Sequence, residues 1–483
     1  MKGNYIIMLH EIIDRTSLFM ESIPKTLRKS YGQFFTTELT ARFMAGMFDI
    51  DITLPYIRIC DAGAGTGVLT AAIVEHILNL GYTGHIHIVC YENDNHVLPL
   101  LRENLELIAN GHQITYEIRE YNYIIAPPVD GEQFDYIIGN PPYKKIGKDA
   151  PEALALPCVC HGAPNLYFLF WTRAIDALRD GQELVYIIPR SWTSGAYFAK
   201  FREYLFSKCV ITSMHIFASR DKVFDGESVL QETMIIKLRK TVTKPEFVHM
   251  TASSSSAFDD LRHYDVPYGS VVAPNGYVFL VTSKEESLVL NKLNRLTDTL
   301  QTISLAMHTG IVVDFRTREV LRDKAEEGSV PLFYSHHIRG GRVVWPAQQE
   351  GEYMVTDHKG FLQANGNYVF VKRFTAKEEH RRLQCGILLA TDYPEYKFIG
   401  TQNKINFIKC ATAEEAYGIY TLLNSTLYDT YYRILNGSTQ VNSTEVNSIP
   451  VPDVNTISAM GRQLMGHKLT EDNCNQIIRQ WIS

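Results

Sequence analysis

Along the first 240 residues, short apolar runs alternate with segments of helical periodicity, and Gly, Pro, Asn or acidic residues separate them. Ile57 to Cys60, His85 to Cys90, Phe134 to Ile138 and Leu184 to Pro189 are short, β-type and closed by turn formers, as strands buried on both faces are. Flanking them, the stretch reaching Phe48, the segment from Val68 to Ile73 and the one opening at Asn165-Leu166 carry apolar residues at helical spacing. Strand and helix in alternation predict an α/β fold with a doubly wound, mostly parallel sheet. After about residue 240 the rhythm breaks into shorter segments rich in Gly, Pro, Asn and Ser, and the serine-rich run Thr251–Ser256 reads as a loop. With 483 residues the chain exceeds one ordinary core. Two domains are expected, with the boundary between residues 240 and 300 and taken as 1–245 and 246–483, the second of mixed α+β structure.

The chemistry sits where the apolar runs end. Phe134 to Ile138 leads into Gly139-Asn140-Pro141-Pro142-Tyr143, which places an amide, a fixed carbonyl and an aromatic ring at the carboxyl edge of a sheet, where α/β proteins build their sites. These groups suit a planar molecule with an exocyclic amine. The lone pair of an adenine N6 or a glutamine amide nitrogen is delocalised into its π system, so that nitrogen attacks a methyl donor poorly until acceptors draw its N–H groups out of plane. The Asn140 side-chain oxygen and the Pro141 carbonyl are the candidate acceptors, preorganised by two prolines that restrict φ. Tyr143 is the candidate stacking ring. A plain strand-ending turn has the same composition.

Upstream, Asp61-Ala62-Gly63-Ala64-Gly65-Thr66-Gly67 closes a strand and opens a helix. Gly63, Gly65 and Gly67 let the backbone turn tightly and approach a ligand, as in nucleotide-binding βαβ units. A second strand ends at Tyr91-Glu92-Asn93-Asp94, with Glu92 roughly 20 residues or more beyond the glycines, where ribose-binding acids stand. Glu92 is the candidate for bidentate acceptance of ribose hydroxyls; a solvated acid at a helix start is the alternative. Before the loop, Tyr31-Gly32-Gln33-Phe34-Phe35-Thr36-Thr37 precedes a helical stretch, and Thr36 or Thr37 has the character of an N-cap.

The ordered set GQFFT, DAGAGTG, YEND and GNPPY over residues 31–143 resembles the class I, S-adenosylmethionine-dependent N6-adenine DNA methyltransferases of the gamma arrangement. The resemblance implies a Rossmann-like methyltransferase domain with S-adenosylmethionine as methyl donor. It implies cofactor contacts by Thr36, Asp61, Gly63, Gly65, Gly67, Glu92 and Asn140. Ala62 and Ala64 stand where relatives commonly carry Pro and Cys, and small residues still fit. The acid that usually binds the cofactor adenine falls near Asn122, with Glu120 as the alternative. Val223 to Leu238 resembles the family's last catalytic-domain motif, in which Phe224 would face the extruded base; a buried core Phe is equally compatible. In the second half, Phe333 to Pro346 and Tyr368 to Arg382 mix cations, imidazoles and aromatics, and are similar to segments of the BsuBI/PstI-type modification methyltransferases. Leu423 to Pro452 resembles a TaqI-like specificity domain. His336, His337, Arg339, Arg342, Lys372 and Arg373 are the candidate DNA contacts, since Lys and Arg neutralise phosphates and Arg reads guanine edges. Their alternative is a solvated face with internal ion pairs. The implied partner is double-stranded DNA, with CTGCAG as the target suggested by the BsuBI/PstI likeness and any cognate restriction endonuclease acting separately.

Composition adds limits. An apolar content of 45% and a charged content of 21% fit a globular protein. No stretch approaches the roughly 20 apolar residues of a membrane span, and the N-terminus lacks a secretory pattern, so cytoplasmic residence without membrane contact is expected. Of eight cysteines only Cys158-Val159-Cys160-His161 forms a cluster, without a second pair at zinc-like spacing, so free thiols and no metal site are expected. A net charge of −6 leaves DNA binding open, because a local positive face suffices. A protein glutamine methyltransferase shares Asn-Pro-Pro-Tyr but needs neither GQFFT nor so large a second half. A non-catalytic DNA specificity subunit would not need the cofactor loop, and Glu395-Tyr396-Lys397 lacks the partner acid of a fused nuclease. The expectation is a site-specific, adenine-specific DNA methyltransferase that requires no metal.

Overall fold

The computed structural model describes residues 5–22, 36–126, 131–217, 233–376, 379–435 and 439–482. The chain divides into two compact units, Met1–Thr282 and Ser283–Ser483. Among the described residues the first holds nine strands: β1 (Tyr56–Ala62), β2 (His85–Tyr91), β3 (Ile114–Arg119), β4 (Phe134–Gly139), β5 (Leu178–Pro189), β6 (Val210–Phe217), β7 (Thr233–Arg239), β8 (Phe247–Ser253) and β9 (Arg262–Pro267). They form one sheet in the order β3-β2-β1-β4-β5-β7-β6-β8-β9. The first five run parallel, and β7 lies antiparallel between β5 and β6. Strand order reverses between β1 and β4, which leaves a crevice at their carboxyl ends.

Helices cover both faces. One side carries α1 (Tyr5–Ser22), α2 (Glu38–Gly46), α3 (Val68–Asn79) and α4 (Leu98–Ala109), whose Leu9, Met44, Ile73 and Leu105 share a core with Ile59, Ile88 and Ile138 of the sheet. After the short α5 (Pro151–Ala155), α6 (Leu166–Ala177) and α7 (Ala199–Lys208) serve the opposite side. There Trp171 meets Tyr186, Trp192 and Phe201 at centroid distances of 6.4, 4.9 and 5.1 Å. Every residue of β4 is buried, as an inner strand covered on both faces requires.

The boundary, expected between residues 240 and 300 and taken at 245, falls at 282/283, because β8 pairs parallel with β6 and β9 adds antiparallel to β8. The serine-rich run is correspondingly not all loop: Thr251 to Ser253 end β8. His215 of β6 makes that tolerable, with Nδ1 2.9 Å from Thr251 Oγ1 and Nε2 3.1 Å from Ser253 Oγ. Burial holds its imidazole down to about 3, so it stays neutral, with one nitrogen to donate and one to accept.

The second unit is mixed α and β, with six-, five- and two-stranded sheets. Its helices Ala413–Leu423 and Val454–Leu464 cross at Gly418 and Gly461, where a Cβ on either glycine would collide with the backbone carbonyls of Ile457 and Glu414. Among the described residues, no helix is long and apolar enough to cross a membrane.

Candidate active site

A cavity of about 480 Å³ opens at the carboxyl ends of β1, β2 and β4, a size suited to a nucleoside-bearing ligand. Its floor is the glycine loop. Gly63, Gly65 and Gly67 have φ of 76°, 55° and 85°, a region costly for any residue with a Cβ. The loop is tied to the end of β2: Gly63 N and Ala64 N donate to Tyr91 O at 2.8 and 3.0 Å, and Gly65 N donates to Glu92 Oε2 at 2.9 Å. Glu92 Oε1 also accepts from Asn93 N and Asp94 N, each at 2.8 Å. Burial pushes the Glu92 carboxyl up while these three N–H groups pull it down, and burial prevails. Three donors occupy all but about one of a carboxylate's roughly four lone-pair sites. Glu92 therefore suits one ribose hydroxyl better than the expected bidentate pair.

Thr36 and Asn140 meet across the cavity wall. Thr37, not Thr36, caps α2, its hydroxyl accepting from Thr40 N at 3.4 Å. Thr36 is left to accept a hydrogen bond at 3.3 Å from Asn140 Nδ2. The segment before the glycine loop and the one after β4 are thereby joined. Asn140 and Pro142 line the cavity, whereas Pro141 is buried beside it.

Three more expected residues stand outside the cavity lining. Asp61 is fully buried and absent from the cavity lining; its Oδ2 accepts from Thr70 Oγ1 at 2.8 Å, which fastens β1 to α3, and burial lifts its carboxyl to about 7. Gly67 likewise stands behind the wall, as the N-cap of α3. Tyr143 is also buried and outside the lining, with its hydroxyl donating to Ile187 O at 3.0 Å and its ring edge-on to Tyr167 at 6.3 Å. Phe224 and Gly32 to Phe35 lie outside the described residues.

Asn122 does line the cavity, but its amide is committed. Oδ1 accepts from Ile124 N at 3.0 Å and Ile125 N at 3.4 Å, and Nδ2 donates to Glu152 Oε1 at 2.8 Å. Glu120 pairs with Arg102 and is not part of the lining. Glu152 is a cavity residue that no motif announced. Tyr121, Tyr123, Ile124 and Phe170 complete an apolar wall around it.

In the second unit the candidate DNA contacts separate by burial. Arg339 is exposed on a hairpin, Ile338–Arg339 with Arg342–Val343, turned by Gly340 and Gly341 at φ of 57° and 80°. Arg342 is half-buried, hydrogen-bonded to the Tyr417 hydroxyl with its guanidinium 5.2 Å from that ring. Lys372 and Arg373 are half-buried, and Arg373 Nη1 donates to Asn403 O at 3.0 Å. His336 is half-buried and stacks on Tyr334 at 5.4 Å. His337 is fully buried, so it does not offer the expected surface contact.

His336, His337 and Glu352 bring potential metal-ligating atoms within 4.8 Å of one another. The hydrogen bonds explain the cluster differently. Tyr334 N donates to His337 Nδ1 at 2.9 Å, which puts the ring proton on Nε2, and Nε2 faces Glu352 Oε1 at 2.8 Å. In that tautomer His337 has no lone pair left for a cation. Glu352 is further held by Ala347 N and Gln348 N at 2.9 and 3.0 Å.

The sheet order, the glycine loop tied to an acid after β2 and the Asn-Pro-Pro segment closing β4 define a Rossmann-like methyltransferase. A family model described as Eco57I restriction-modification methylase matches residues 77–224. The chain belongs to the type II methyltransferase family: it is 35% identical to M.BsuBI of Bacillus subtilis over 476 residues, spanning 94% of this chain and 93% of that relative. M.PstI of Providencia stuartii is 33% identical over 486 residues, with 95% and 94% covered. Among solved structures, the fold is similar to that of the type IIL restriction-modification enzyme MmeI in complex with DNA, at a TM-score of 0.57 and 11% identity, over 99% of this chain and 74% of that one.

Proposed function

We propose that this chain transfers a methyl group from S-adenosylmethionine to N6 of an extruded adenine in double-stranded DNA, as the modification enzyme of a restriction-modification system whose endonuclease acts separately. The observation that carries this reading is that Asn140 shares one cavity with the glycine loop and Glu92. In this reading the amine-activating Asn140 and the cofactor-binding groups open into the same space. The donor fits the residues present: Glu92 offers a ribose acceptor, and Tyr121, Tyr123, Ile124 and Phe170 offer an apolar slot for a planar base. When bound, its sulfonium supplies an activated methyl electrophile.

Asn140 and the Pro141 carbonyl accept the N6–H groups and turn the nitrogen lone pair out of the ring plane. Thr36 fixes the Asn140 carboxamide by its hydrogen bond, the preorganisation on which such electrostatic activation depends. The proton departs after transfer, once N6 carries positive charge, so the reaction calls for neither a general base nor a metal. An adenine inside a duplex cannot enter the cavity and must rotate out, at a cost of a few kcal/mol. Stacking on aromatic rings, with Tyr143 and Phe224 as the candidates, returns about 1–3 kcal/mol. In this reading the second unit recognises the target and neutralises phosphates through Arg339, Lys372 and neighbouring cations.

The test is transfer of tritiated methyl to duplex DNA with and without CTGCAG, to RNA and to protein, followed by nucleoside analysis. Label in DNA as N6-methyladenine is expected. Label in protein glutamine would overturn the reading, and methylcytosine would overturn its adenine specificity.

A further inference from the structure

We propose that Asn122 and Glu152 together read the adenine edge of the methyl donor, Glu152 accepting from the exocyclic amine and Asn122 donating to ring nitrogen N1. This assignment rests on the S-adenosylmethionine reading above. It starts from the one orientation open to the Asn122 amide. Two backbone N–H groups, those of Ile124 and Ile125, converge on one of its terminal atoms, which must be the oxygen. The amide nitrogen then faces Glu152 Oε1, a match of donor to acceptor at 2.8 Å.

That arrangement uses up the acceptor on Asn122. Its oxygen serves its own turn, as asparagine side chains do, and only an N–H remains to meet a ligand. An amine on the ligand would find the wrong polarity there. Glu152 supplies what is missing. Its Oε1 takes one Asn122 N–H, and Oε2 has no hydrogen-bond partner among the described residues, while both side chains line the cavity. Side by side they present a carboxylate acceptor and an amide donor. Adenine presents the complement, an N6–H donor beside an N1 acceptor; hypoxanthine, with a 6-oxo group and an N1–H, presents the reverse.

The geometry also accounts for an Asn at position 122, where the resemblance implies an acid. The carboxylate arrives instead from 30 residues later, on the first turn of α5 behind Pro151. Glu152 is a specificity-determining residue in this scheme, and Asn122 both orients it and reads the neighbouring atom.

The experiment measures, by calorimetry, the affinity of the full chain for S-adenosylhomocysteine and for its 6-oxo counterpart, S-inosylhomocysteine. Wild type should prefer the adenine compound by about 30-fold or more, the scale of a mispaired, charge-assisted hydrogen bond. In Glu152→Gln the amide nitrogen turned toward the cavity donates rather than accepts. That variant should bind the adenine compound about 30-fold more weakly and the 6-oxo compound no worse than wild type. Glu152→Asp, which keeps the acceptor, should retain the sign of the preference, and thermal melting of each variant identifies any that fails to fold. If Glu152→Gln weakens both compounds equally, Glu152 merely supports the turn and the assignment falls. If wild type binds both equally, the assignment falls while the cofactor reading stands. If wild type binds neither, the cofactor reading fails and takes the assignment with it.

Discussion

Replacing Asp61 by asparagine separates a cofactor ligand from a buried strut. Asp61 is fully buried, bonded through Oδ2 to Thr70, and its Oδ1 has no hydrogen-bond partner among the described residues. Burial lifts its carboxyl to about 7, whereas an aspartate in an unfolded chain titrates at ~3.9. Between those two values the folded protein keeps a proton that the unfolded chain has released. Its stabilising contribution is therefore whole below the lower value and drains away as pH rises through the upper one. From pH 5 to pH 8 the loss integrates to about 2–3 kcal/mol, or roughly 5–10 °C in Tm for a unit of this size. A carboxamide has no proton to lose, so the Asp61→Asn variant should escape that decline. The assay is thermal unfolding of both proteins from pH 5 to pH 8, with the difference taken so that other titrating groups cancel. Asp61→Asn should gain on wild type as pH rises, while its affinity for S-adenosylhomocysteine changes little. A pH-independent difference would refute the buried-acid account, and a loss of about 100-fold in affinity at unchanged Tm would restore Asp61 as a cofactor ligand.

Further outcomes are expected. Asn140→Ala should lower kcat by about 10²–10³-fold while leaving S-adenosylhomocysteine binding nearly intact; an equal loss of binding would place Asn140 in cofactor recognition instead. Tyr143→Phe removes the hydrogen bond to the Ile187 carbonyl and should cost about 0.5–1.5 kcal/mol of stability in urea unfolding. Tyr143→Ala should in addition weaken the 2-aminopurine fluorescence response on DNA binding, and a full response would remove Tyr143 from the base pocket. Arg339→Ala and Lys372→Ala should each reduce the slope of log affinity against log salt by about 1, whereas His337→Ala, inside the fold, should lower Tm and leave the slope alone.

Strands β1, β2 and β4 were legible because their inner stretches are buried on both faces and so read as largely apolar runs, interrupted by Arg58, His87 and Asp135. β8 was not. Its serine and threonine hydroxyls look like loop chemistry until His215, on another strand, supplies their partners. The same contrast runs through the site. Gly63, Gly65, Glu92, Asn122 and Asn140 converge because each ends or follows a strand of one parallel sheet, so spacing along the chain fixes their place in space. Asp61 belongs to the same motif as the glycines, yet motif membership does not say which way a side chain points, and this one turns toward α3. Glu152 sits on a five-residue helix without periodicity, and only the fold brings it to Asn122. His337 failed as a surface cation for a related reason: a cluster of imidazoles and arginines in sequence carries no sign of which member faces inward.

The last two strands of the large sheet bear on how this family could be recombined. β9 leaves Arg262, His263 and Asp265 exposed and ends at Pro267, an edge that discourages further strand addition. A cut at residue 245 would strip that edge and bare β6, whose apolar residues and unpaired backbone would recruit other chains. Chimaeras that exchange second units between relatives should therefore be joined at 282/283. Joined there, the donor unit travels without borrowing any part of the recipient's sheet.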